Sequence, residues 1–118
     1  MTPASRSAAK ANTTPSPSWA YSESFVADDD TMLLARAASR QLALGSASQG
    51  VTSALTFLAS LLQAKAVVEV GTGAGVSGLA LIRGMARDGI LTSIDLETEH
   101  QVAARQIFVA EGVPARRV

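Results

Sequence analysis

The sequence predicts an α/β fold, and three observations carry that prediction. Ala66-Val67-Val68-Glu69-Val70 is a short, β-branched run that stops at a glycine cluster. Ile90-Leu91-Thr92-Ser93-Ile94 is a second such run, stopping at Asp95. Between and around them lie segments whose apolar residues recur at helical spacing. A strand–helix–strand unit of this length implies a parallel pair with a right-handed crossover.

The elements follow in order. Residues 1–18 are rich in Ala, Ser, Thr and Pro and cannot bury enough apolar surface to offset ordering, so a disordered N-terminal tail is expected. Trp19, Tyr21 and Phe25 then form a short aromatic stretch suited to plain packing, or to anchoring the arm onto the domain or onto a second subunit. A helix is expected to start near Asp28-Asp29-Asp30, where carboxylates accept from free backbone N–H groups. It runs through a stripe of Leu34, Ala38 and Leu42 and ends near Gly45. A second helix starts around Ser48, with Val51, Ala54, Leu55, Leu58, Leu61 and Leu62 on one face. After the first strand, a third helix is expected from Val76 to about Arg87, using Leu79, Ile82 and Ala86. Asp88-Gly89 precedes the second strand. A fourth helix spans about Thr98 to Glu111, with Ala103, Ile107 and Ala110 inward and Gly112 and Pro114 as its stop.

Composition narrows the function. The 118 residues hold ten basic and ten acidic side chains and no cysteine. Balanced charge offers no broad attraction to nucleic acid or to an anionic membrane. Without cysteine there is no disulfide framework, thiolate metal site or thiol nucleophile, which fits a cytoplasmic location. No apolar run reaches the roughly 20 residues of a bilayer span. Residues 19–118 are read as the N-terminal part of a larger domain, because two strands make a poor sheet and a parallel sheet needs cover on both faces.

The chemistry-bearing segment is Gly71-Thr72-Gly73-Ala74-Gly75 with Val76 and Ser77 behind it. Glycines between a strand and a helix let a ligand approach the backbone closely, and the helix presents free N–H groups to a phosphate or carboxylate. Gly73, Gly75 and Gly78 match the dinucleotide fingerprint literally, and that reading lengthens the strand through Thr72. The other reading uses Glu69, Gly71, Gly73 and Gly75, and ends the strand at Val70. It fits better. Asp95, at the end of the next strand, is placed to accept both hydroxyls of a ribose, a device that NAD proteins share.

With these residues in place, the sequence resembles the small O-methyltransferase family that includes the catechol type, especially its bacterial members. VVEVGTGAGVSGLALIRGM at 67–85 and LTSIDLETEHQVAARQIFVAEG at 91–112 carry the resemblance, with the two preceding helices and GSASQGV at 45–51. It covers roughly residues 20–118. It implies the Rossmann-like doubly wound parallel sheet of S-adenosylmethionine-dependent methyltransferases, present here in its N-terminal part. Glu69 and the loop from Gly71 through Thr72 and Gly73 to Gly75 would then bed the methionine part of S-adenosylmethionine. Ser77 would bond its carboxylate, Asp95 would hold the ribose, Leu96 would pack on adenine and Ala47 would line the sulfonium end. His100 matches a position near the cofactor, although a lone histidine early in a helix is more often a surface or capping group. Arg36, Arg40 and Arg105 are expected on solvated helix faces.

The family's divalent-metal ligands (for Mg2+), its general-base lysine and most acceptor contacts fall beyond the residues of this chain. The resemblance also implies a small-molecule hydroxyl acceptor and a homodimer. Two rival readings remain open from the sequence: half of a nicotinamide-dependent oxidoreductase, and a truncated remnant with no turnover.

Overall fold

The computed structural model describes residues 14–118. Most of the expected disordered tail, residues 1–13, lies outside that range. Its last five residues, 14–18, lie inside it: Pro17 and Ser18 open a helix, α1 (Pro17–Ser24), whose N-cap is Ser16. Proline at the first helical position and a serine cap make that start physically sound. Trp19, Tyr21 and Phe25 remain exposed, so the aromatic stretch is not an anchor into the core. What docks α1 is Glu23. Its carboxylate accepts from the backbone N–H of Gly50 at the start of the third helix, an N-cap supplied from a distance.

Helix α2 (Asp30–Gln41) begins at the acidic cluster as expected, with Asp29 as N-cap accepting from the Met32 N–H at 3.0 Å. Its buried stripe is Met32, Ala35 and Ser39, and Leu34 is half exposed. The expected stripe of Leu34, Ala38 and Leu42 was therefore misplaced around the helix. The reversal after α2 is made by Ala43, at φ 55°, rather than by Gly45. Leu44 N–H then returns to Ser39 C=O.

Helix α3 (Gln49–Leu61) starts at Ser48, as the sequence indicated. It buries Thr52 and Ala59 and turns Val51, Phe57, Leu58, Leu61 and Leu62 outward. The most hydrophobic face is thus turned largely outward. Close approach to the next helix decides the matter. Helix α4 (Val76–Gly84) crosses α3 where both are small: Thr56 Oγ1 donates to Ala80 C=O at 2.9 Å, and Gly84 faces Thr56 and Ala59. Bulky leucines on that side of α3 would hold the helices apart. Helix α4 ends at Gly84 instead of Arg87, because Met85 already has an extended backbone.

Strands β1 (Ala66–Val70) and β2 (Ile90–Ile94) pair in parallel, with Ala66 opposite Ile90 and Val70 opposite Ile94. Helix α5 (Thr98–Ala110) follows. It buries Ala104, Ile107 and Phe108, so Ile107 belongs to the inner face, whereas Ala103 is only half-buried and Ala110 is exposed. Leu79, Leu91, Ile107 and Phe108 form the centre of the core between the helices and one face of the sheet. On the other face Val68, Val70, Ile90 and Ile94 stand exposed. Among the described residues the sheet is therefore covered on one side, not on both. A single 3-10 turn, Ala115–Arg117, lies against β2. The architecture is α/β with a parallel strand pair, a partial Rossmann-like fold.

One ion cluster fixes the helices to each other. Arg83 near the end of α4 reaches Asp29, the N-cap of α2, at 2.8 Å and Glu111, just after α5, at 2.6 Å. Three elements remote in sequence are thereby clamped at one point. Both carboxylates raise the Arg83 pKa, with Glu111 the larger influence.

Candidate cofactor site

The site is built where β1 and β2 end side by side. Val70 pairs with Ile94, and Gly71 N–H extends the ladder by bonding Ile94 C=O at 2.7 Å. The chain then leaves the sheet through three glycines with positive φ, Gly71 (95°), Gly73 (51°) and Gly75 (89°). Gly75 is the most constrained of them. A side chain there would meet the Ala104 Cα and Cβ at 3.2 Å in addition to the left-handed strain. Gly75 N–H closes the turn onto Thr72 C=O at 3.1 Å. Helix α4 starts at Gly75 with no side-chain cap, so its first N–H groups are left to a ligand. The strand stops at Val70 and Thr72 lies outside it, in line with the Glu69–Gly71–Gly73–Gly75 reading.

Beneath the loop runs a polar network. Ser77 Oγ donates to Glu69 Oε1 at 2.5 Å, and Ser93 Oγ donates to Glu69 Oε2 at 2.6 Å. Thr72 Oγ1 and Ser93 Oγ are 2.8 Å apart. Glu69 is therefore a bracket under the turn. Thr72 is buried, its side chain directed into this network, so only its backbone faces the loop. The Ser77 hydroxyl proton goes to Glu69, which leaves its backbone N–H for an incoming anion. Ser93 was not singled out from the sequence. Its signal was present in the strand pairing, which sets Ser93 directly opposite Glu69.

Asp95 ties the two strand ends together. Its Oδ2 accepts from Gly73 N–H at 2.9 Å, and its Oδ1 accepts from Glu97 N–H at 2.9 Å and faces His100 Nδ1 at 3.1 Å. A carboxylate offers about four acceptor positions, so three are engaged and a ribose must displace a protein donor to be held by both oxygens. His100, expected as a surface or capping group, is instead largely buried against Asp95. Arg36 is likewise not solvated. It lies paired with Asp28 and reaches the 46–47 loop. Leu96, beside Asp95, is 98% exposed, an apolar side chain presented to solvent at the mouth of the site. Ala47 is half-buried in the α2–α3 loop, and Leu44 of that loop packs toward Gly73.

The donors around Asp95 lower its pKa to about 2, with Glu97 N–H the largest cause, then Gly73 N–H, then His100. Its folded value lies below the ordinary 3.8, so its contribution to stability is complete above 3.8 and disappears as the pH falls through about 2. The Asp95–Gly73 contact should therefore persist to about pH 3. Gly73 and Glu97 amide shifts followed through an acid titration check this; a midpoint near 4 would contradict it.

No group of three or more His, Cys, Asp or Glu side chains able to hold a metal ion occurs among the described residues. The described residues do not fit a divalent cation. No helix among them is long and apolar enough to cross a membrane.

A glycine turn, a carboxylate at the end of the next strand and a helix start without a side-chain cap form a strand-end arrangement of the Rossmann type. Comparison with known proteins narrows that class. The sequence profile of a family described as O-methyltransferase matches residues 23–116. This chain belongs to the O-methyltransferase family. A protein of Mycobacterium sp. (strain JLS) named as an O-methyltransferase is 46% identical over 98 residues, which is 83% of this chain and 44% of that protein. Rv1220c of Mycobacterium tuberculosis, similarly named, is 44% identical over 99 residues, again covering 44% of its length. The chain thus spans less than half the length of the curated relatives it matches. Among solved structures, the O-methyltransferase TomG of Streptomyces achromogenes, in complex with S-adenosylmethionine, superposes with a TM-score of 0.73 at 30% identity. That match covers 80% of this chain and 43% of TomG. Cofactor-bound Rv0187 of M. tuberculosis gives 0.75 at 29% identity, covering 88% and 50%.

Proposed function

We propose that this chain forms the methyl-donor half of an S-adenosylmethionine-dependent O-methyltransferase. The observation that carries the reading is the junction of Gly73 and Asp95, which joins a glycine turn to a carboxylate at the ends of paired strands. The loop from Gly71 to Gly75 beds the methionine chain. The Ser77 backbone N–H and its neighbours at the start of α4 take the carboxylate, aided by the helix dipole. Asp95 accepts the ribose hydroxyls, and Leu96 covers adenine, which gives its exposed side chain an apolar partner. Ala47 lines the sulfonium end.

When bound, the cofactor supplies an electrophilic methyl group on a positively charged sulfur. The residues here bind and orient that donor, and the rate gain of such a transfer comes largely from holding donor and acceptor in line. The acceptor is read as a small-molecule hydroxyl and the working location as the cytoplasm, in keeping with balanced charge and the absence of cysteine. A homodimer fits the exposed apolar side of α3 around Leu58, Leu61 and Leu62. Any metal would take its ligands from residues other than those described.

Calorimetric titration tests the reading. Saturable binding of S-adenosylhomocysteine with no heat from NAD is the expected result. Binding of NAD instead would restore the Gly73–Gly78 fingerprint and an oxidoreductase. Absence of both heats from a chain with a folded circular-dichroism spectrum would favour the remnant.

A further inference from the structure

Arg36 sits in the middle of α2, yet its guanidinium points out of the helix and across to the next loop. Asp28 fixes it from one side, with Nε to Oδ2 at 2.6 Å and NH2 to Oδ1 at 3.4 Å. On the other side NH1 donates to Ala47 C=O at 2.5 Å and to Ser46 Oγ at 3.3 Å. The side chains of Arg36 and Asp28 are 13% and 8% exposed. In a pair so shielded from water, loss of either partner leaves the other charge buried without compensation, so the geometry is held by both.

Among the described residues, the loop it grips is otherwise hydrogen-bonded at its ends alone. Ala43 and Leu44 close the end of α2, and Ser48 caps α3 by accepting from Val51 N–H. Between them, Arg36 supplies the hydrogen bonds to Ser46 and Ala47. The same loop leans on the cofactor turn: Leu44 Cδ1 is 3.8 Å from where a Cβ on Gly73 would stand. A displacement of residues 44–47 therefore moves one wall of the glycine turn.

We propose that Arg36 is a positioning residue that sets the 44–47 loop against the methionine end of the cofactor. The proposal rests on the donor-site reading above. Arg36 does not touch the ligand; it acts through the Ala47 carbonyl and the Ser46 hydroxyl. The nucleoside end is assigned to Asp95 and Leu96, and Asp95 is also fixed from its own stretch of chain by Glu97 N–H and His100, which Arg36 does not touch.

That separation gives the test. S-adenosylhomocysteine and adenosine share the nucleoside and differ in the amino-acid chain, so both are titrated calorimetrically into the full chain. Arg36→Gln alone leaves the Asp28 charge buried without a partner, so the double variant Asp28→Asn with Arg36→Gln is used beside it. The expected result is about tenfold weaker S-adenosylhomocysteine, the loss of roughly one charge-assisted hydrogen bond's worth of ordering, with adenosine within about twofold of the original. Arg36→Lys should recover only part, because one ammonium cannot span Asp28 and Ala47 as the guanidinium fork does. Unchanged S-adenosylhomocysteine affinity in the double variant overturns the proposal, as does equal loss of both ligands. If the unmodified chain binds neither ligand, it is the donor-site reading that fails, and this proposal with it. A measurement on the unmodified chain stands apart from the folding of any variant. Backbone 15N relaxation should find Ser46 and Ala47 as rigid as α2 and α3, and nanosecond mobility there would also overturn the proposal.

Discussion

Replacing Asp95 with alanine is expected to weaken S-adenosylhomocysteine binding by roughly 100-fold, from two ribose hydrogen bonds to a charged acceptor at about 1.5 kcal/mol each. The loss has a second component. Asp95 also accepts from Gly73 and Glu97 N–H groups, so its removal frees the glycine turn from the end of β2. Asp95→Asn separates the two effects. The amide keeps an oxygen for one backbone donor and can still donate to a ribose oxygen, but it lacks the charge. An intermediate affinity with an unchanged fold is expected from it. Equal binding by the alanine variant and the original would remove Asp95 from the site.

Gly84→Ala is expected to lower stability by about 2–3 kcal/mol, enough to reduce the melting temperature by roughly 10 °C in a chain of this size. The added Cβ would fall inside the van der Waals shell of the Thr56 carbonyl oxygen and 2.9 Å from Ala59 Cβ. Neither neighbour can yield, since one is backbone and the other is the shortest of side chains. Helices α3 and α4 must part, which also strains the Thr56–Ala80 hydrogen bond. Gly45→Ala is the control. Nothing lies within 4 Å of a Cβ there and the position is exposed, so its effect should stay within about 0.5 kcal/mol. Thermal unfolding of the two variants side by side measures the difference. Similar melting temperatures would mean that α3 and α4 do not cross at Gly84.

This pair also explains what the sequence could and could not reveal. The order from α2 to α5, both strands and the glycine turn were legible, because each is a local signal (β-branched residues next to glycine, and acids or serine at helix starts), whereas α1 was not expected. Asp29, Ser48 and Val70 mark boundaries where expectation and structure agree. Helix faces were not legible in the same way. The leucines of α3 share a face in the sequence, but which side packs inward is decided by Gly84 opposite, which requires Thr56 and Ala59 there and leaves Leu58 and Leu62 exposed. The inner face of a helix depends on its neighbour's shape, and that neighbour lies about 25 residues away in the chain. The end of α2 failed for a related reason. A glycine was available at position 45, but Ala43 makes the left-handed turn because Ser39 and Leu44 must meet.

The site divides similarly. Glu69, Gly71, Gly73, Gly75 and Asp95 are brought together at the strand ends as expected. The directions of side chains were beyond reach. Thr72 points inward to Ser93, and Ser77 gives its proton to Glu69. His100 and Arg36, expected near solvent, are drawn in by Asp95 and Asp28. Each of these depends on a hydrogen-bond partner five or more positions away, fixed only once strands and helices are packed.

The most direct test of the donor-site account is a heteronuclear NMR titration of the chain with S-adenosylhomocysteine, following backbone amides. The account predicts saturable shifts at Ala47, at Gly71 through Ser77 and at Asp95 and Leu96, with α3 beyond Thr52 little affected. Shifts confined to other surfaces, or none up to millimolar ligand on a dispersed spectrum, would contradict it.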